Sequence, residues 1–223
     1  MEFILKADQL CKKFKADTRE ITVLNDINFQ VKEGEGISIV GPSGSGKTTL
    51  LGLCAGLDAP TSGTITLMDI PLNRLSEDDR AYIRNQYVGF VFQNFQLLPT
   101  LTAIENAIIP LEIRGEKGGA KKAMELLDRV GLSERISHYP AQLSGGEQQR
   151  VAIARAFVSN PKIVFVDEPT GNLDEETADT ITQLLFEMNR ELGTTLILVT
   201  HNYILARNTG RILKMKGGRL EQE

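Results

Sequence analysis

An α/β fold built on a mainly parallel sheet, with an antiparallel β layer and a helical insertion, is predicted by three observations. Four short apolar runs, ISIV before Gly41, VGFVF before Gln93, IVFV before Asp167 and TLILVT before His201, are separated by helical segments. Runs apolar at nearly every position suit strands buried on both faces, as in a parallel sheet. Ile21 to Val31 and Thr64 to Met68 instead alternate apolar with polar residues, the pattern of half-exposed antiparallel strands. Between Gln93 and Pro161 the spacing turns helical, as in Ala120 to Val130, where Ala123, Met124, Leu127 and Val130 fall at helical intervals and Gly131 supplies the stop.

These patterns imply a single domain over residues 1–223, with 1–93 and 161–223 as core and β subdomain and 94–160 as a helical subdomain. A chain of 223 residues buries roughly 70% of its unfolded surface, enough to hold a core without disulfides or a structural metal. With 41% hydrophobic and 24% charged residues, disorder is excluded. Lys plus Arg number 25 against 29 Asp plus Glu, for a net charge of -4 without a block of like charges, which argues against a nucleic-acid-binding face. Cys11 and Cys54 form no close pair and flank no histidine cluster, so they read as small buried hydrophobes in a reducing cytosol, with no zinc site. The amino terminus alternates too much, and carries charge too early, for a signal peptide. Apolar stretches such as Ile37–Val40, Ile163–Val166 and Leu196–Val199 fall far short of the ~20 residues that span a bilayer. Any membrane role must come through a partner.

The four strand ends share one property: each delivers a polar residue, and ligands of parallel sheets bind beyond the carboxyl ends of the strands. Gly41-Pro42-Ser43-Gly44-Ser45-Gly46-Lys47-Thr48 fits G-x-x-x-x-G-K-[ST], follows a strand and opens a helix striped with Leu50, Leu53, Cys54 and Leu57. The glycines let backbone N–H groups converge, the helix amino end adds positive potential, and Lys47 reaches terminal phosphates. Thr48 brings a hydroxyl suited to magnesium. The loop alone does not separate an ATPase from a GTPase or a small-molecule kinase. At the end of IVFV, Asp167 is placed to hold the magnesium shell, and Glu168 to take a proton from the attacking water or orient it. His201 and Gln93 sit at the other two strand ends, the first within reach of a γ-phosphate and water, the second of metal or water. Taken singly, a histidine there is more often a capping or hydrogen-bonding residue and a glutamine usually a surface residue; their shared strand-end placement raises the functional reading of both. His138 has no such setting and reads as structural or exposed.

Leu143-Ser144-Gly145-Gly146-Glu147-Gln148-Gln149-Arg150 leads into a helix carrying Val151, Ala154 and Val158 on one side. Its free N–H groups and serine hydroxyl suit an anion, though a helix cap alone also explains Ser144 and the glycines. This string resembles the signature motif of ABC ATPases, and the loop, Gln93, Asp167-Glu168 and His201 follow in that family's order along essentially the whole chain.

The resemblance implies the fold of that family, a P-loop NTPase core, and an activity, hydrolysis of ATP with Mg2+. Gly41 to Thr49 resembles the Walker A loop, Gln93 the Q-loop residue, and Ser144, Gly145, Gly146 and Glu147 the signature. Asp167 resembles the Walker B metal ligand, Glu168 the catalytic glutamate, Asp174 the D-loop acid and His201 the switch histidine. Phe14 stands where the family places an adenine-stacking aromatic; a core position under the β layer explains it equally. Asn202 departs from the aspartate common after the histidine, which leaves that histidine's local bonding open. VGFVFQNFQLLPTLTAIEN, HYPAQLSGGEQQRVAIARAF and DEPTGNLD are similar to the MacB, LolD and YbbA group, whose members serve permeases in lipoprotein release, macrolide export and related envelope functions. The resemblance thus implies an ATP-dependent homodimer, peripheral on the cytoplasmic side of the inner or plasma membrane, that drives a separate permease docked near Asn94 to Glu105. Phe95, Leu97 and Leu98 form an apolar patch there. An alternative is a regulatory ATPase that controls an extracytoplasmic enzyme through a membrane protein without transport. Soluble relatives acting on DNA or ribosomes carry tandem cassettes or a coiled-coil insertion, which this sequence lacks.

Overall fold

The computed structural model describes residues 2–16 and 19–221. In chain order, β1 (Phe3–Ala16), β2 (Arg19–Lys32) and β3 (Gly36–Val40) precede α1 (Lys47–Cys54), β4 (Ser62–Leu67), β5 (Ile70–Pro71) and α2 (Glu77–Tyr87). Next come β6 (Val88–Phe92), α3 (Ala103–Ile113), α4 (Gly119–Arg129), α5 (Gly145–Phe157), β7 (Ile163–Asp167) and α6 (Glu175–Leu192). They are followed by β8 (Thr195–Thr200), α7 (Tyr203–Ala206), β9 (Arg211–Lys216) and β10 (Arg219–Leu220). The chain divides into two compact units, Met1–Arg84 with Thr195–Glu223, and Asn85–Thr194.

In the first unit, β2-β1-β4-β5 form an antiparallel sheet. Its alternating sequence places Leu24, Ile27, Phe29 and Val31 of β2 inward with Leu5, Ala7 and Leu10 of β1 and Ile65 and Leu67 of β4. The alternating residues near the amino terminus lie in β1. The β1–β2 ladder slips where Gln9 and Asp26 take positive φ. Asn28 repairs the break, accepting from Gln9 N at 2.7 Å and donating to Asp26 O at 3.1 Å. A second set in this unit is parallel, with β3 between β9 and β8. All of β8, and β3 from Ile37 to Val40, is buried, which is why these runs read as continuously apolar. Ser38 is tolerated there because its hydroxyl donates to Ala206 O at 3.3 Å and pairs with that of Thr209 at 2.9 Å.

In the second unit, β6 and β7 pair in parallel from Val88↔Ile163 to Phe92↔Asp167. Gly89 allows α5 to approach β6, since a Cβ there would lie 2.4 Å from Ala156 O. A capping box opens α3: Thr102 Oγ1 accepts from Glu105 N, and Glu105 Oε2 accepts from Thr102 N at 2.7 Å. The fully buried Asn106 ties the preceding segment to α3, accepting from Leu98 N and donating to Leu98 O, Leu101 O and Thr102 O. Ile181, Leu185 and Met188 form the buried stripe of α6, which ends at Gly193 in the left-handed region.

Three expected core positions are corrected. Leu57 lies beyond the end of α1 and is 47% exposed, so the stripe stops at Cys54. On α4 the inward face is Ala123, Leu126 and Leu127; Met124, one residue and hence 100° round from Ala123, is 43% exposed. Cys54 is fully buried, which pushes its thiol far up, whereas Cys11 is only half-buried and its Sγ accepts from Asp26 N at 3.4 Å.

Candidate functional site

The first unit carries the phosphate-loop sequence at the end of β3. Gly41 is required because a Cβ would meet Met215 O at 2.2 Å, and Gly44 and Gly46 take φ of 76° and 101°. This turns the chain into α1, whose first-turn N–H groups have no intrahelical partner and carry the positive end of the helix dipole. Lys47 is buried, with Nζ donating to Gly41 O at 2.8 Å and Pro42 O at 3.0 Å, so its charge lies over the loop. Ser45 Oγ is buried without a hydrogen-bond partner. Cation, dipole and orphaned hydroxyl together make a cradle suited to phosphate. Pro42, Ser43 and Thr48 are exposed around it, and Thr49 is half-buried.

Val40 and Thr200 are paired in parallel register, so Gly41 and His201 leave neighbouring strand ends. His201 is exposed. Asn202 N-caps α7, its Oδ1 accepting from Ile204 N at 2.8 Å and Leu205 N at 3.2 Å, which accounts for its side chain. On β1, Phe14 is 42% exposed and therefore not a core residue. Lys12 Nζ sits 4.9 Å from its ring centroid, anchored at 2.7 Å by both Asp58 Oδ2 and Ala59 O.

The second unit carries the other candidates. Because Phe92 pairs with Asp167, Gln93 and Glu168 also follow neighbouring strand ends. Asp167 and Glu168 are half-buried, and Glu168 adopts φ 46°. Gln93 Nε2 donates to Asn172 Oδ1 at 3.1 Å, and Asn172 Nδ2 donates to Gln93 O at 3.1 Å and Asn94 Oδ1 at 2.9 Å. Two residues further on, Phe95 and Gln96 take φ of 56° and 49°. Their carbonyls accept from Arg155 Nη2 and Nη1 at 2.7 and 2.6 Å. Burial holds Arg155 below the usual guanidinium range.

Ser144 N-caps α5: its Oγ accepts from Glu147 N at 3.2 Å, and Glu147 Oε2 accepts from Ser144 N at 2.8 Å. Since Oγ serves as acceptor within the cap, its O–H remains a donor. The Ser144 N–H holds the Glu147 carboxyl below its ordinary range, and Arg135 Nε lies 3.3 Å from Oε1. Gly145 leaves room for Leu173 and Phe95, and a Cβ on Gly146 would meet Thr177 Cγ2 at 2.5 Å, so close packing requires glycine there. Asp174 N-caps α6, accepting from Thr177 N at 3.0 Å and Thr177 Oγ1 at 2.7 Å, and these bonds lower its carboxyl. His138 is half-buried with Nε2 3.2 Å from Arg135 Nη1, a structural setting.

Thr48, Gln93 and Asp167 offer only hard oxygen donors, the chemistry that suits Mg2+. Among the described residues no cluster of three or more His, Cys, Asp or Glu could cage a metal. The 85–194 unit also holds a cavity of about 330 Å³ lined by Phe90, Phe92, Leu98, Ile109, Pro110 and Arg155. Leu98 is 50% exposed, while Phe95 and Leu97 are half-buried.

Two functional candidates escape sequence reasoning. Asn172 lies inside the quoted DEPTGNLD string, where its place before the cap Asp174 was the available signal. Arg155 looks like one more exposed charge of an amphipathic helix, and nothing local marks its two carbonyl partners.

Residues 24–171 match the family described as ABC transporter. Over 224 residues, 100% of this chain and 98% of the relative, the chain is 49% identical to a protein of Escherichia coli K12 described as an uncharacterized ABC transporter ATP-binding protein, YbbA. Identity and coverage are the same with the YbbA protein of Shigella flexneri. A solved dimeric structure of the ATP-binding cassette MJ0796, in a post-hydrolysis state bound to ADP and Pi, superposes with TM-score 0.91 at 44% identity, covering 98% of this chain and 97% of that one. A second dimeric structure of the same bacterial ABC transporter cassette gives 0.90, with the same identity and coverage.

Proposed function

Because the chain belongs to the ABC transporter family, as an ATP-binding and ATP-hydrolysing subunit of YbbA-like type, we propose that it powers a separate transmembrane permease in export, lipoprotein or lipid extraction, or another envelope function. What supports this reading is the phosphate cradle of Lys47, Ser45 and the α1 amino end in a chain 49% identical to an ABC transporter ATP-binding protein; among the described residues no helix is long and apolar enough to cross a membrane. Peripheral attachment on the cytoplasmic side of the inner or plasma membrane follows from such a partnership.

In this reading Lys47 and the N–H groups of Gly41 to Thr49 bind the phosphates, and Phe14 offers a face to adenine. Thr48, Gln93 and Asp167 would hold Mg2+, which when bound offsets phosphate charge and orients the terminal phosphoryl group. Glu168 accepts a proton from the attacking water or orients it, and His201 contacts that water and the γ-phosphate. Ser144, Gly145, Gly146 and Glu147 of a second copy present a hydroxyl donor and a helix N-terminus to the same phosphate, and Asp174 belongs to this set. One loop and one signature per chain then yield two composite sites about a two-fold axis. The permease docks on the surface around Asn94 to Glu105, where exposed Leu98 and the neighbouring apolar cavity suit the apolar face of a partner helix.

Two measurements test this. In the Glu168→Gln variant ATP binding persists while turnover falls by about a hundredfold or more, and light scattering finds a dimer with ATP and mostly monomer without it. Wild-type turnover, or a monomer at saturating ATP, refutes the assignment. Polar substitutions of Phe95 and Leu98 abolish co-purification with the permease while isolated hydrolysis continues; undiminished co-purification refutes the docking surface.

A further inference from the structure

The side chain of Gln93 is fastened at its nitrogen end. Nε2 donates to Asn172 Oδ1, while Asn172 Nδ2 returns two bonds, to the carbonyl of Gln93 itself and to the side-chain oxygen of Asn94. The backbone is held as well, by Arg155 on the carbonyls of Phe95 and Gln96. The amide is also crowded from outside, since a Cβ on Gly171 would lie 2.7 Å from Nε2. A glutamine amide has one end that only donates and one that only accepts. With Nε2 committed to Asn172, Oε1 is the end that a cation meets. Reversed, the amide would aim two N–H donors at a divalent cation and would set Oε1 against Asn172 Oδ1, two acceptors face to face.

We propose that Asn172 is a positioning residue that fixes the amide of Gln93 oxygen-outward and so sets the affinity of the nucleotide site for its divalent cation. The proposal rests on the reading of Gln93 as a metal ligand. Asn172 acts through its bonds to Gln93, so its effect appears in cation affinity rather than in nucleotide affinity.

The test uses full-length protein carrying Glu168→Gln and saturated with ATP, titrated with Mn2+ and read by electron paramagnetic resonance, with ATP binding in EDTA measured in parallel. Loss of the bond from Nε2 frees the amide to rotate, so Asn172→Leu weakens Mn2+ binding on the order of three- to tenfold and leaves ATP binding in EDTA unchanged, which also reports an intact fold. A second background separates orientation from mere structure. In Gln93→Glu the carboxylate presents oxygen at both ends, so adding Asn172→Leu has no further effect on Mn2+ affinity. An equal loss from Asn172→Leu in both backgrounds overturns the proposal, as does wild-type Mn2+ affinity in the single variant. Gln93→Ala distinguishes the remaining failure: unchanged Mn2+ affinity there removes Gln93 from the metal site, and the proposal falls with it.

Discussion

Replacing Arg155 with methionine keeps an apolar stem against the cavity and removes the guanidinium that grips Phe95 O and Gln96 O at 2.7 and 2.6 Å. Bonds from a charged donor contribute about 1.5–3 kcal/mol each, so the pair supplies about 3–6 kcal/mol before the cost of burying the cation. Relief of that burial returns part of the loss. The segment nevertheless keeps two consecutive residues in the left-handed region, a cost of about 1–2 kcal/mol apiece that the carbonyl bonds offset. A net destabilisation of about 2–4 kcal/mol is expected. With a slope of about 2 kcal/mol per molar urea, the unfolding midpoint moves down by about 1–2 M. Arg155→Lys falls between, because an ammonium is a point donor and does not span two carbonyls in a fork. Urea unfolding of the isolated chain, followed by circular dichroism, is the assay. A midpoint shift below about 0.3 M in Arg155→Met, with the slope unchanged, would show that the turn holds itself and that the clamp contributes nothing.

Gly89→Ala forces a Cβ to within 2.4 Å of Ala156 O and should cost about 1–3 kcal/mol. Gly52→Ala, within α1 and with no heavy atom near the added carbon, should stabilise by about 0.5–1 kcal/mol; paired thermal melts check the opposite signs. The carboxyls of Asp174 and Glu147 are held low by N–H groups at the starts of α6 and α5. Their contribution is therefore complete above the unfolded values of about 4 and is lost as pH falls through the lower folded values. Asp174→Asn should flatten the acid limb of stability below about pH 4, and a limb identical to wild type would contradict this assignment.

The legibility of this fold follows burial. Strands β3, β7 and β8 announce themselves because strands buried on both faces admit few polar residues, β6 because it is apolar throughout, and the loop before α1 because its glycines answer to fixed steric demands at Gly41, Gly44 and Gly46. β1 shows in the sequence only as an alternating amino terminus, its period broken at Gln9, and β9 escapes notice because Arg211, Lys214 and Lys216 interrupt any apolar run. At the site, residues belonging to local motifs are readable, including Lys47, Ser144 and Asp167. Asn172 and Arg155 are not, for their partners lie 79 and about 60 positions away and only folding brings them together.

Close contact between Gly89 and Ala156 gives α5 a mechanical character. The helix packs Gly146 on Thr177 at its amino end and is held at its carboxyl end, where Ala156 abuts β6 and Arg155 grips the turn after Gln93. Its opposite end presents Ser144. Thirteen residues separate the two ends, an arm of about 20 Å. Pivoting such an arm by about 3° carries its tip about 1 Å, which exceeds the spread of a good hydrogen-bond distance. A rotation of that size at the root of the helix would therefore decide at its tip between a made and an unmade bond.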